Sequence, residues 1–356
     1  MKKIIISTGG SGGHVIPALN LYEHLKKDFD IKIYTDARGA KYIPREINKT
    51  LFDVKKVPEK KYFFPLKILF LFFAFIKSVV HLTNNKFDIL ISTGGYMSLP
   101  IVLASKIFNK KIFLFEPNSI IGKSNKFLLF FSNKVLCYDK NLKGIKKKYI
   151  DKIVELPPLL NRCFYNENNK DELDKNVFKI LIIGGSQASL FFTKNLNNEL
   201  IELGSKYKIE VTQQLSPGVN INEYKLNYDK KNIKNNLFFF KENFLCYNRK
   251  FDIAISRAGA SSLAELAYLN IPFIAVPFPH ATDNHQFLNA KRYFDSNCCW
   301  ILEEKNFNSG DIFKMINQII IDKSEYIEKK SNLKRISANN KWININEKIK
   351  RNLNEN

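Results

Sequence analysis

Short apolar runs that stop at glycine-rich turns set the rhythm of this chain. Residues 3–7 (KIIIS) lead into Thr8-Gly9-Gly10-Ser11-Gly12-Gly13-His14, and residues 178–183 (FKILII) lead into Gly184-Gly185-Ser186-Gln187-Ala188-Ser189. Residues 88–92 lead into Thr93-Gly94-Gly95-Tyr96, and residues 253–255 soon reach Arg257-Ala258-Gly259-Ala260. Runs this short and this continuously apolar predict strands buried on both faces, as in a parallel sheet. After the turns the spacing becomes helical. Leu19, Leu21 and Leu25 follow the first turn, residues 99–107 another, and Leu263, Leu266 and Ala267 the last, where Asn270 and Pro272 end the helix.

Further strands are predicted at residues 31–35, 111–115, 135–138, 209–213, 236–240 and 273–276, the last leading through a polar loop at 277–285 into another helix. Strand, small loop, helix is the layout that puts ligands beyond the carboxyl ends of parallel strands. The grammar opens at residue 3 and again at residue 178. The chain therefore reads as an internal duplication of two Rossmann-like α/β domains, 1–157 and 158–356, divided at the connector Glu155-Leu156-Pro157-Pro158-Leu159-Leu160. Residues 306–356, rich in Lys and Asn, predict charged surface helices that end the second domain.

Residues 61–82 (KYFFPLKILFLFFAFIKSVVHL) break the pattern. Lys67 and Lys77 bracket only nine residues, too few to span a bilayer. One reading is a buried helix, apolar all round. The other is a helix whose Phe and Leu surface (Phe63, Phe64, Phe70, Phe72, Phe73, Phe75) dips into a membrane while Lys60, Lys61, Lys67 and Lys77 meet anionic headgroups.

Composition narrows the partners. The 356 residues carry a net charge of +22, which favours nucleic acid, an anionic membrane or a phosphorylated substrate. Only eight of the cations are arginine, and no nucleic-acid-binding signature appears; a lysine- and asparagine-biased composition also accounts for the excess. Five cysteines without a C-x-x-C argue for a reducing compartment and against a disulfide framework or a zinc site. The N-terminus lacks the apolar core of a signal peptide.

Candidate chemistry gathers at the turns. The first turn does not fit G-x-G-x-x-G, yet Asp36 follows the second strand at the distance of a ribose-binding acid, which leaves a dinucleotide reading open. Glu265 has two competing roles. With Ser262 it forms S-x-x-E, a capping box, and the local pattern leans that way; it could equally accept hydrogen bonds from a sugar diol.

GGSGGH (9–14), TGGYMSLP (93–100), EPNSIIGKSN (116–125), GGSQAS (184–189), RAGASSLAE (257–265) and PFPHATDNHQFLNA (277–290) occur in this order. Together they resemble the MurG family of GT-B glycosyltransferases. The resemblance implies two Rossmann-like domains facing across a cleft, the first on the acceptor and membrane side, the second binding the UDP-sugar. It further implies transfer of N-acetylglucosamine from UDP-N-acetylglucosamine to undecaprenyl-pyrophosphoryl-N-acetylmuramoyl-pentapeptide in peptidoglycan synthesis. The expected reaction inverts to a β-1,4 link without metal or other cofactor, at the cytoplasmic face of the bacterial inner membrane.

Position by position, Ser11, Gly12 and Gly13 match the family's first glycine loop. Asn118 matches the asparagine of H-E-Q-N, whose His and Gln are Phe115 and Pro117 here. Ser186 matches the serine against the nucleotide phosphates, in a loop whose next glycine is Ala188. Lys241 falls where main-chain atoms meet the uracil, Glu265 matches the acid on the ribose hydroxyls, and Gln286 the glutamine on the donor sugar, with His285 replacing its neighbour. Arg162 occupies the region of the N-P-V-R arginine, although that motif is not cleanly present. The attacking hydroxyl needs a base, and His14 on the glycine loop is the candidate; it could equally orient the loop or bond the acceptor pyrophosphate. A related GT-B enzyme with another lipid acceptor, a nicotinamide-dependent oxidoreductase and a basic nucleic-acid-binding protein are the competing readings.

Overall fold

The computed structural model describes residues 1–52, 64–166 and 176–355. The chain divides into two compact units, Met1–Arg162 with Lys341–Asn356, and Cys163–Asn340.

The first unit is built on β1 (Lys3–Ser7), β2 (Asp30–Thr35), β3 (Lys49–Leu51), β4 (Ile89–Ser92), β5 (Lys111–Glu116), β6 (Lys134–Cys137) and β7 (Ile153–Glu155). All pair in parallel, in the order β3-β2-β1-β4-β5-β6-β7. Its helices are α1 (Gly12–Leu25), α2 (Phe64–Thr83), α3 (Ser98–Ile107) and α4 (Lys123–Leu128). Ile4, Ile5 and Ile6 are all buried, because helices cover both faces of the sheet.

The second unit repeats the plan with β8 (Phe178–Ile183), β9 (Ile209–Gln214), β10 (Lys234–Phe238), β11 (Ile253–Ser256), β12 (Phe273–Ala275) and β13 (Cys299–Ile301). These strands are also parallel, in the order β10-β9-β8-β11-β12-β13. Its helices are α5 (Leu190–Lys206), α6 (Ile221–Asp229), α7 (Phe244–Tyr247), α8 (Ala260–Tyr268), α9 (His285–Asp295), α10 (Asp311–Ile321) and α11 (Ser324–Ser337). Each unit has its own apolar core, one centred on Leu90, Ile101 and Leu114, the other on Ile182, Phe192 and Ile255.

Three expectations change. The last helix, α12 (Trp342–Asn354), belongs with the first unit and not with the second. Its buried stripe Ile345, Ile349 and Leu353 packs there, Trp342 stacks on His24 of α1 at 3.9 Å, and Lys350 pairs with Asp28 at 2.5 Å. A disulfide joins Cys163 to Cys246, against the expectation of none; 83 residues of sequence separate two positions that the fold brings to a Cα–Cα distance of 5.7 Å. Edge strands β3, β7 and β13 were not predicted, being three residues each and too short to show a pattern.

Helix α2 packs one face on the core and leaves an apolar face exposed. Ala74, Ser78 and Leu82 are buried, and Phe75 and Val79 pack on the core. Ile68, Leu69, Phe72, Phe73, Ile76 and Val80 are exposed, a stripe at helical spacing. No helix among the described residues is long and apolar enough to cross a membrane. Lys60, Lys61 and Phe63 lie outside the described residues.

Candidate active site

In each sheet the strand order reverses direction once, between β1 and β4 and between β8 and β11. Ligands of open parallel sheets bind beyond the carboxyl ends at such points, and the glycine turns lie there.

In the first unit, His14 spans the switch point: its Nδ1 lies 2.9 Å from Thr93 O. A carbonyl only accepts, so Nδ1 carries a proton, and in the neutral ring Nε2 is the nitrogen with the lone pair, as a general base requires. Thr93 Oγ1 donates to Thr8 Oγ1 at 2.8 Å, a second tie between the two loops. Gly94, at φ +89°, leaves room for the imidazole; a Cβ there would sit 3.3 Å from His14 Cε1. Ser11 precedes α1 as its N-cap residue, its carbonyl accepting from His14 N at 3.1 Å, while Gly12 is buried and Gly13 exposed.

The loop after β5 is organised by buried Glu116. Its Oε1 accepts from Asn118 Nδ2 at 2.9 Å, and its Oε2 from Gly122 N at 2.9 Å and Asn125 Nδ2 at 3.1 Å. Asn125 Oδ1 is buried with no partner among the described residues, and Asn125 Nδ2 lies 3.5 Å from where a Gly94 Cβ would be. The sequence reading did not single out Asn125. Asp36 is spent on the fold: its Oδ1 accepts from Gly10 N at 2.9 Å and Gly39 N at 2.8 Å, and Arg38 pairs with Oδ2 at 2.9 Å. Burial pushes the Asp36 carboxyl up, and these bonds outweigh it, holding its pKa below the ordinary value. That accounts for the acid without a dinucleotide ribose.

In the second unit, Gly184 admits no side chain, since a Cβ would lie 2.3 Å from Ala188 C. Ala188 adopts φ 57°, ψ −171°, a region that suits glycine and strains alanine. Ser186 sits half-buried in this loop, and Ser189 caps α5 through Phe192 N at 3.4 Å. Buried Arg257 ties the loops together. Its Nε donates to Ser189 Oγ (3.1 Å), its Nη1 to Val276 O (3.2 Å), and it pairs with Glu304 at 2.6 Å. Gln286, in the first turn of α9, accepts with Oε1 from Ala258 N (3.2 Å) and Phe278 N (2.9 Å), so the same side chain fixes two loops. Lys241 is exposed on the loop after β10.

Glu265 is not a capping residue. Helix α8 starts after Gly259, which makes no side-chain cap, and Ser262 already lies inside the first turn. The Glu265 carboxylate accepts no hydrogen bond among the described residues. It keeps partial access to solvent yet is enclosed by protein, and burial pushes its pKa up to about 8. Carboxyl groups perturbed by burial in this way cluster at functional sites of proteins. Arg162 lies in the first unit, exposed, with its guanidinium 5.9 Å from the Trp342 ring centre.

Glycosyltransferase family 28 N-terminal domain matches residues 4–137 and its C-terminal domain matches residues 179–343. A UDP-N-acetylglucosamine–N-acetylmuramyl-(pentapeptide) pyrophosphoryl-undecaprenol N-acetylglucosamine transferase of Pelagibacter ubique (strain HTCC1062) is 42% identical over 356 residues, covering 100% of this chain and 99% of its own. The protein of that name from Rickettsia canadensis (strain McKiel) is 33% identical over 330 residues, covering 90% and 91%. The crystal structure of Acinetobacter baumannii MurG shares the fold with a TM-score of 0.77 at 19% identity, covering 99% of this chain and 100% of that one. This chain belongs to glycosyltransferase family 28, and its two parallel-sheet α/β units are those of the GT-B architecture.

Proposed function

We propose that the chain transfers N-acetylglucosamine from UDP-N-acetylglucosamine to undecaprenyl-pyrophosphoryl-N-acetylmuramoyl-pentapeptide, inverting the donor anomer to a β-1,4 link. The observation that carries this is the end-to-end match, at 42% identity, with a protein whose name describes that reaction. The geometry supports a division of labour. Glu265 takes the ribose hydroxyls, the loop holding Ser186 and the N-terminus of α5 take the diphosphate, main-chain atoms around Lys241 meet the uracil, and Gln286 Nε2 meets the donor sugar. Charge that develops on the leaving UDP is stabilised there by backbone N–H groups of the loop and the helix N-terminus. His14 Nε2 takes the proton of the attacking hydroxyl, with Ser11, Gly12, Gly13 and Asn118 lining the acceptor side. Arg162 remains the candidate cation for the pyrophosphate.

A lipid-linked acceptor requires a seat on the membrane, at the cytoplasmic face of the bacterial inner membrane. The exposed stripe of α2 suits it, each large apolar side chain contributing about 1.5–3 kcal/mol on burial and each nearby lysine about 1 kcal/mol against anionic lipid. The test is transfer from labelled UDP-N-acetylglucosamine to the muramoyl acceptor set against diacylglycerol and dolichol-linked sugars, with the anomeric configuration of the product read by NMR. Transfer to one of the other lipids alone, or an α-linked product, would overturn the reading.

A further inference from the structure

Gln214 ends β9 and is buried, 3% exposed. Gly184 N–H donates to its Oε1 at 2.9 Å, and its Nε2 donates to Gly185 O at 2.9 Å, so one side chain grips both glycines of the turn. Gly185 O also accepts from Ala188 N at 3.1 Å. Both lone pairs of that oxygen are therefore used, and it does not oppose an anion in the loop. The loop that results is one the chain resists: Ala188 is strained and Gly184 has no room for a side chain.

The duplicated first unit supplies an internal comparison. There Asp36, directly after β2, holds the glycine turn after β1 by accepting from Gly10 N at 2.9 Å. β2 flanks β1 as β9 flanks β8, so Asp36 and Gln214 come from corresponding strands, Asp36 one residue past the end of its strand and Gln214 as the last residue of its own. Asp36 has no proton to donate and carries a charge, which Arg38 neutralises at 2.9 Å. Gln214 forms both bonds as a neutral group, and among the described residues no cation pairs with it. A carboxylate at that place would repel a diphosphate in the adjoining turn, with little solvent to screen it.

We propose that Gln214 is the positioning residue of the donor-diphosphate loop, and that its neutrality is what leaves this loop able to receive an anion. The proposal rests on the reading of residues 184–189 as the seat of the nucleotide phosphates. Gln214 touches no substrate; it acts through Gly184 and Gly185.

The test is calorimetric titration of the full-length protein with UDP and with uridine, for wild type, Gln214→Met and Gln214→Glu. Wild type is expected to prefer UDP. Gln214→Met, close in shape and without either polar partner, should lose about tenfold in UDP affinity, the equivalent of two hydrogen bonds, and keep its uridine affinity. Gln214→Glu retains the acceptor for Gly184 N–H but adds a charge, and should lose at least as much. In turnover, KM for the donor should rise while KM for the acceptor stays at the wild-type value. If Gln214→Met does not fold, Gln214→Met/Ala188→Gly replaces it, because glycine takes the loop conformation without strain. Equal loss of UDP and uridine affinity would show a merely structural role and overturn the proposal, as would wild-type UDP binding by Gln214→Glu. A wild type that binds uridine as well as UDP would overturn the reading of the loop itself, a result distinct from variants that leave the preference intact.

Discussion

Arg257 Nε donates to Ser189 Oγ at 3.1 Å, joining the loop after β11 to the loop after β8 across the switch point of the second sheet. The same guanidinium reaches Val276 O and Glu304, so one buried cation sets three loops of the donor half. Arg257→Gln leaves Glu304 without its cation and frees the loops. Breaking a mostly buried pair costs about 3 kcal/mol, so the melting temperature should fall and KM for UDP-N-acetylglucosamine should rise. Thermal unfolding and initial rates check this; an unchanged KM would separate Arg257 from the donor site.

Glu265 makes a prediction about pH. Its folded-state pKa is raised to about 8 from an ordinary value of 4.5, so the folded protein binds this proton more tightly than the unfolded chain. Stability from this group therefore falls as pH rises between those values. Glu265→Gln removes the titration, and its melting temperature should gain on wild type from pH 5 to pH 8. At pH 9, where the wild-type carboxylate is ionised, its UDP affinity should fall by about tenfold, the loss of a charge-assisted bond to the ribose. UDP lacking the ribose 2′ and 3′ hydroxyls should bind both proteins alike.

Ala188 sits in a backbone region that costs a non-glycine residue about 1–3 kcal/mol. Ala188→Gly should raise the melting temperature and leave UDP affinity at or above wild type. A lower melting temperature would show that the methyl group contributes packing that outweighs the strain.

On α2, Phe72 and Phe73 are 54% and 59% exposed, so replacing both by Ser removes no core. Binding to vesicles containing anionic lipid should drop, with the melting temperature within a few degrees of wild type. Unchanged sedimentation with vesicles would mean that this stripe is not the membrane seat.

What was legible in the sequence was what is local. An apolar strand followed by a glycine turn and a helix is written in consecutive residues, so both switch-point loops are legible in the sequence. Ser262 and Glu265 misled because S-x-x-E is also ordinary spacing within one helical turn; only the start of α8 after Gly259 separates the two. The posts that hold the loops were not legible. Gln214 grips a glycine 30 residues earlier, and Arg257 a serine 68 residues earlier, and neither pair leaves a pattern in the chain. The stripe of Ile345, Ile349 and Leu353 predicts a helix with one buried face, but not that this face returns to the first unit.

The most direct measurement is turnover of radiolabelled UDP-N-acetylglucosamine by the purified chain, with and without the undecaprenyl-linked muramoyl-pentapeptide in vesicles, for wild type and His14→Ala. Label should move into the lipid fraction only when that acceptor is present, and kcat should fall at least about a hundredfold in His14→Ala if its Nε2 is the base. Wild-type protein that binds UDP-N-acetylglucosamine yet leaves the acceptor unlabelled would contradict the central claim.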